Sequence, residues 1–144
     1  MNYYLASTID SQFPDAIDQE IEDEKLRILQ YDGTCLYCRK VKADRIDHFI
    51  PKIKNKAATG YGDDSANTIH CCSPCNSSKG NSFFSEWKKA PKDDKRWSEF
   101  LEFHKKHAII RQEKIDIYNA FQSELEAFIR DFNMRVINSC KNRS

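Results

Sequence analysis

Two cysteine pairs, Cys35-Leu-Tyr-Cys38 and Cys72-Ser-Pro-Cys75, are the residues whose types and spacing most plainly specify chemistry. Two residues between cysteines let one tight turn aim both sulfurs at a single point, and two such turns complete a tetrahedron of thiolates, the arrangement zinc favours. Four thiolates leave no open coordination position, so Zn²⁺ bound there is expected to hold the fold and perform no reaction. The pairs are separated by 33 residues, more than the roughly 15–20 of a simple zinc ribbon. Something must therefore be built between them. Cys71 in place of Cys72 would break the two-residue spacing, and Cys140 reads as a buried or idle thiol.

The stretch between the pairs carries a second set of chemical groups. Asp47 and His48 are adjacent and are followed by Phe49-Ile50-Pro51; Asn67 comes shortly before the second pair, and Asn76 directly after it. A histidine with an ordinary pKa of about 6.5 can take a proton from water near neutral pH. Asparagine and aspartate oxygens suit a hard divalent cation such as Mg²⁺ or Mn²⁺, which when bound by a few protein oxygens keeps coordination positions open. Successive strand residues point to opposite faces, so the backbone is expected to bend or bulge at Asp47–His48 to bring both into one groove.

In order, identity and spacing, Cys35-x-x-Cys38, Asp47-His48-Phe49-Ile50-Pro51, Asn67 and Cys72-x-x-Cys75-Asn76-Ser-Ser-Lys79-Gly80 resemble the HNH (ββα-metal, His-Me finger) endonucleases over about residues 33–81. The resemblance implies a β-hairpin and a helix clamping one divalent ion above zinc knuckles. It implies His48 as general base, Asp47 and Asn76 as ligands of the catalytic Mg²⁺ or Mn²⁺, and Asn67 as the residue that fixes the loop so that His48 points correctly. The motif closes with Asn76 where the family name has histidine, a His-Asn-Asn variant. Arg39 stands where a glycine often follows the first knuckle. The expected activity is hydrolysis of DNA phosphodiester bonds, leaving a 5′ phosphate and a 3′ hydroxyl. The residues do not distinguish among restriction, phage defence and mobile-element homing. A nuclease cutting RNA with the same site, or a non-catalytic zinc module binding nucleic acid or a partner protein, are the alternatives.

Around these groups the chain reads as α+β. Residues 14–30 predict a helix, with Ile17, Ile21 and Ile28 on one face and acidic residues outside; Asp32-Gly33 ends it and turns the chain into the first knuckle. Residues 43–50 and 67–71 predict short strands, flanking a basic, glycine-containing loop over 52–66. Lys52, Lys54 and Lys56 alternate on that loop as candidate phosphate contacts. A helical turn from about Cys75 carries Lys79 one turn beyond Asn76, where it too is expected to reach a phosphate. Past a linker at residues 90–95, two amphipathic stripes follow: Trp97, Phe100, Leu101, His104 and Ala108, then Ile115, Tyr118, Leu125, Phe128, Phe132 and Val136. They are expected to pack on the small zinc core or, for the last stripe, to pair two copies into a homodimer or dock a partner subunit. His70, His104 and His107 read as ordinary surface histidines.

This divides the chain into an N-terminal helical segment (1–32), a nuclease core (33–90) and a C-terminal helical region (91–144). The charge distribution follows the same division. Residues 1–34 hold 2 basic and 8 acidic side chains, while residues 35–97 hold 13 basic and 7 acidic, so the positive excess coincides with the cysteines. A phosphate-binding surface requires such a bias. No apolar run approaches the roughly 20 residues that span a bilayer, and Met1-Asn-Tyr-Tyr-Leu-Ala lacks the basic-then-apolar pattern of a secretory signal. A cytoplasmic location is expected.

Overall fold

The computed structural model describes residues 18–92 and 95–142. The chain is a mixed α+β structure. Helix α1 (Gln19–Ile28) leads to the first cysteine pair and then to β1 (Arg45–His48). A two-stranded ribbon follows, β2 (Ile53–Lys54) and β3 (Ala57–Ala58), then a 3-10 turn (Ser65–Asn67), β4 (Thr68–Cys71) and α2 (Ser73–Lys79). Two longer helices, α3 (Lys95–His107) and α4 (Gln112–Asn142), complete it. Residues 14–17 of the expected first helix lie outside the described residues. No described helix is long and apolar enough to cross a membrane.

Local chemistry sets most boundaries. The Asp18 carboxylate accepts from the amides of Glu20 and Ile21 and starts α1. Gln30 (φ 54°) and Gly33 (φ 96°) adopt left-handed conformations where the chain reverses into the first knuckle. The basic loop over 52–66 is more ordered than its composition suggests: Asn55 and Lys56 both have positive φ, the requirement of a type I′ turn, and close the β2–β3 ribbon. Helix α2 begins two residues before the expected start, with Cys72 as N-cap and Pro74 in its first turn, so the second cysteine pair is itself a helix N-terminus.

Strands β1 and β4 pair antiparallel, Arg45 opposite Cys71 and His48 opposite Thr68. Beneath them lies an aromatic core. Trp97 stacks on Tyr37 (5.4 Å between centroids) and on Phe84 (5.0 Å), and Phe49 meets Phe100 edge-on at 4.9 Å. Leu29, Leu36 and Ile69 fill the gaps at 1% exposure or less. Each such ring pair adds about 0.5–1.5 kcal/mol beyond its area, which matters for a chain with so little regular sheet.

The terminal helices are joined to this unit by buried polar groups. Lys25 of α1 donates to Ser65 O (2.7 Å), Thr68 Oγ1 (3.0 Å) and Glu22 (2.8 Å). Burial pulls its pKa down, while Glu22 favours the charged form. At the start of α4, Arg111 N donates to Gly60 O, and its guanidinium bonds Asp64 at 2.9 Å. Gly60 sits at φ 87°, and a Cβ there would come within 2.8 Å of Ile110 Cγ2, so this close approach admits only glycine.

The two C-terminal stripes fare differently. Trp97, Phe100 and Phe103 turn inward, whereas Leu101, expected in the stripe, is 44% exposed. In α4 the packing expected along the whole stripe stops early. Tyr118 is fully buried, but Phe128, Phe132 and Val136 are exposed, because the helix runs past the core that could have covered them.

Candidate metal centre and active site

The ligand atoms of Cys35, Cys38, Cys72 and Cys75 all lie within 4.8 Å of one another, and Sγ of Cys38 and Cys72 are 3.9 Å apart. A tetrahedron with zinc–sulfur bonds of roughly 2.3 Å has edges of about 3.8 Å, so the four thiols could hold one ion such as zinc. Arg39 explains its own departure from glycine. It adopts φ 59°, the conformation the knuckle needs, and its guanidinium donates to the carbonyls of Gln30 and Leu29 at the end of α1. That link offsets the strain a side chain meets there. Cys71 lies outside the cluster, buried in the core, and burial pushes its thiol up to about 12.

Above the cysteines, β1 remains regular. Asp47 pairs with Ile69 and His48 with Thr68 without an inserted residue, so the expected bulge is absent. The continuous ladder to β4 accounts for this, and alternation then sends Asp47 and His48 to opposite faces. Asp47 faces the core at 5% exposure. Its Oδ2 accepts from the Tyr37 hydroxyl (2.6 Å) and from Lys79 Nζ (2.9 Å). Burial raises the Tyr37 pKa well above the ordinary value, and the neighbouring Asp47 charge adds to it, so the phenol stays a donor. Lys79 was expected to reach a phosphate. Instead it is buried at 1% exposure, and its ammonium also donates to His48 O at 3.1 Å.

Asn76 lies one helical turn before Lys79 on α2, half-buried. Neither Asp47 Oδ1 nor the Asn76 amide has a hydrogen-bond partner among the described residues.

His48 occupies the open face. Its Nε2 is bound to the Asp63 carboxylate, and Lys52 reaches the same carboxylate at 3.2 Å. The His48 bond is the chief reason the Asp63 pKa falls far below the usual carboxylate range; partial burial opposes it and Lys52 assists. Asp63 had no distinguishing signal in the sequence: it is one of two adjacent aspartates in a glycine-containing loop.

Asn67 is fully buried and fully used. Its Oδ1 accepts from Ile50 N (2.9 Å), and its amide donates to Ile50 O (3.0 Å) and Gly62 O (2.9 Å). It thereby clamps the chain just after His48 to the loop that carries Asp63. His104 of α3 closes this network, Nε2 lying 3.1 Å from Asn67 Oδ1. It is no surface histidine. It is 6% exposed, and burial lowers its pKa to about 4. The other two histidines are half-buried, His70 stacked on Tyr31 and 3.3 Å from Glu22, His107 at 4.0 Å from Glu24.

The candidate phosphate-binding lysines are distributed unevenly. Lys54 pairs with Glu86 at 2.9 Å and lies over the Phe83 ring, and Lys52 pairs with Asp63. Lys56, at the tip of the β2–β3 ribbon, is exposed.

No protein-family model, curated protein or solved structure matches the chain.

Proposed function

We propose that the protein is a metal-dependent endonuclease of the HNH type that hydrolyses DNA phosphodiester bonds, with His48 as its general base. The observation that carries this reading is the His48–Asp63 pair on the open face of β1, anchored by Asn67 to a frame resting on the four cysteines. An ionised Asp63 accepts the proton of Nε2 and so leaves Nδ1 as the nitrogen that accepts a proton. A water activated there attacks phosphorus. The P–O3′ bond breaks, the water's proton passes to Nδ1, and the departing O3′ takes a proton from solvent. Lys52, beside Asp63, and the exposed Lys56 are the cations this reading assigns to the phosphate backbone, and contacts of that kind give affinity without reading sequence.

Mg²⁺ or Mn²⁺, if held by Asp47 Oδ1 and Asn76, would supply charge stabilisation for the phosphoryl oxygens; since Asp47 faces the core and His48 the open face, sharing one phosphate requires the end of β1 to rearrange. Asp47 Oδ1 and the Asn76 amide have no hydrogen-bond partner among the described residues, and their oxygens suit a hard cation. The adjoining Lys79 ammonium opposes a cation at Asp47, so binding there requires that Lys79 be displaced or the ion be shared with substrate phosphate. Zn²⁺ in the four-cysteine cluster has a structural role in this scheme.

The test is nicking of supercoiled plasmid in Mg²⁺ or Mn²⁺ by wild type and His48→Ala, with a single-stranded RNA in parallel. A loss of about 10²–10⁴-fold in His48→Ala is expected. Equal nicking by the two proteins refutes the assignment, and cleavage confined to RNA moves the reading to an RNase. One observation favours a second reading, a non-catalytic zinc module that binds nucleic acid: Asp47 is spent on Tyr37 and Lys79, as a purely structural carboxylate would be. Binding of DNA without cleavage in any divalent metal is its signature.

A further inference from the structure

We propose that two copies of this chain pair antiparallel through the exposed face of α4, Phe128 of each packing on Phe132 of the other. Helix α4 is anchored by its first two turns, through Arg111, Lys114 and Tyr118. Beyond Gln122 it runs on for about 30 Å at 1.5 Å per residue, with every described side chain except half-buried Leu125 exposed. Phe121, Leu125, Phe128, Phe132 and Val136 recur at steps of three and four and form one stripe, with Ile129 beside it. Phe121, Phe128 and Phe132 are 44%, 67% and 56% exposed.

A second copy is the occupant that both area and charge select. With aromatic side chains offering about 150–250 Å² each, the stripe exposes on the order of 500 Å² per copy, so a pair would bury about 1,000 Å², the threshold for a specific interface. Apart from Arg130 and Asp131 at its centre, the charges on this stretch are ordered: Glu124 and Glu126 come before them, and Arg135 and Lys141 after. Parallel copies would set acid against acid and base against base. Antiparallel copies that place Phe128 against Phe132 bring Glu124 beside Arg135 of the other chain. Both residues lie on the same edge of the stripe, as two-fold antiparallel pairing demands. Arg135 already bridges to Asp131 at 3.0 Å within its own helix, and that bridge holds it on this edge. The same register separates the two Cys140 side chains by roughly 30 Å, whereas parallel pairing would bring them together.

Sedimentation equilibrium of the full zinc-loaded chain at micromolar concentration tests this. The expected mass is twice the 16.9 kDa of one chain. Phe128→Glu, at a side chain that is 67% exposed and outside the core cluster, is expected to weaken the dimer by more than about 100-fold while leaving the thermal transition of the core in place. Glu124→Arg and Arg135→Glu are each expected to weaken it about 10-fold, and the double variant to restore it. Mild oxidation should give no Cys140–Cys140 disulfide. A monomer at every concentration overturns the proposal, as does a dimer indifferent to Phe128→Glu, a double variant no better than the singles, or ready disulfide formation at Cys140. None of these readouts depends on nuclease activity.

Discussion

The buried pair between Asp47 and Lys79 offers the sharpest single test of how the site is built. Substituting Lys79 by Met keeps the length and removes the ammonium, leaving the Asp47 carboxylate at 5% exposure with only the Tyr37 hydroxyl as donor. At 2.9 Å and an effective dielectric of about 20, the lost attraction is about 6 kcal/mol before desolvation is credited back. Stranding one partner of a buried pair costs about 3–5 kcal/mol in practice, so Lys79→Met should lower stability by about 3 kcal/mol or more. In a chain of this size that is a fall of about 10 °C in Tm. Asp47→Asn should cost a similar amount, because it strands the ammonium. The double variant removes both charges, and the asparagine oxygen can still accept from Tyr37. It should therefore cost no more than either single, a coupling of about 3 kcal/mol. Urea unfolding at fixed zinc concentration, following Trp87 and Trp97 fluorescence, measures all four proteins. A Lys79→Met variant within about 1 kcal/mol of wild type, or a double variant equal to the sum of the singles, refutes the buried pair. It would return Lys79 to the solvent-facing role its spacing suggested.

Four further outcomes are expected. His104 has a pKa of about 4 when folded against 6.5 for an ordinary histidine, so it is neutral in both states above pH 6.5; below that the unfolded chain takes up the proton and stability falls until about pH 4, by about 3 kcal/mol in all. Unfolding between pH 4.5 and 7 should show a shallower dependence in His104→Phe than in wild type, and identical slopes refute this. If the four cysteines hold zinc, a chelator should unfold the region around β1 and α2 cooperatively, and Cys75→Ser should mimic it while Cys140→Ser changes nothing; circular dichroism with added chelator checks this. If Asp63 orients His48, Asp63→Asn should cut plasmid nicking by up to about 100-fold with little change in DNA affinity, and an unaffected rate excludes that role. If Lys56 contacts a phosphate, Lys56→Ala should reduce the salt dependence of DNA binding by about one unit of slope, and an unchanged slope removes Lys56 from the interface.

Some features of this protein follow from sequence alone because they depend on neighbours along the chain. The two-residue spacing of each cysteine pair brings its sulfurs together wherever the pair is placed, and Asp32-Gly33 turns the chain whatever lies beneath it. The short strands predicted over 43–50 and 67–71 likewise contain β1 and β4, and the steps of three and four mark α3 and α4. What the tertiary structure decided is which face each group meets. Adjacent Asp47 and His48 suggested one shared groove, but the ladder to β4 keeps β1 regular, and alternation sends one into the core and the other outward. Lys79 and His104 carry charged or titratable groups that sequence reasoning assigns to solvent, because only the packed partners, Asp47 for one and Asn67 for the other, make their burial tolerable. Asp63 and Tyr37 became visible only when loops distant in sequence closed on the strand end. The stripe on α4 shows the limit most directly: periodicity establishes that a helix has an apolar face, but whether anything covers that face depends on where the core ends.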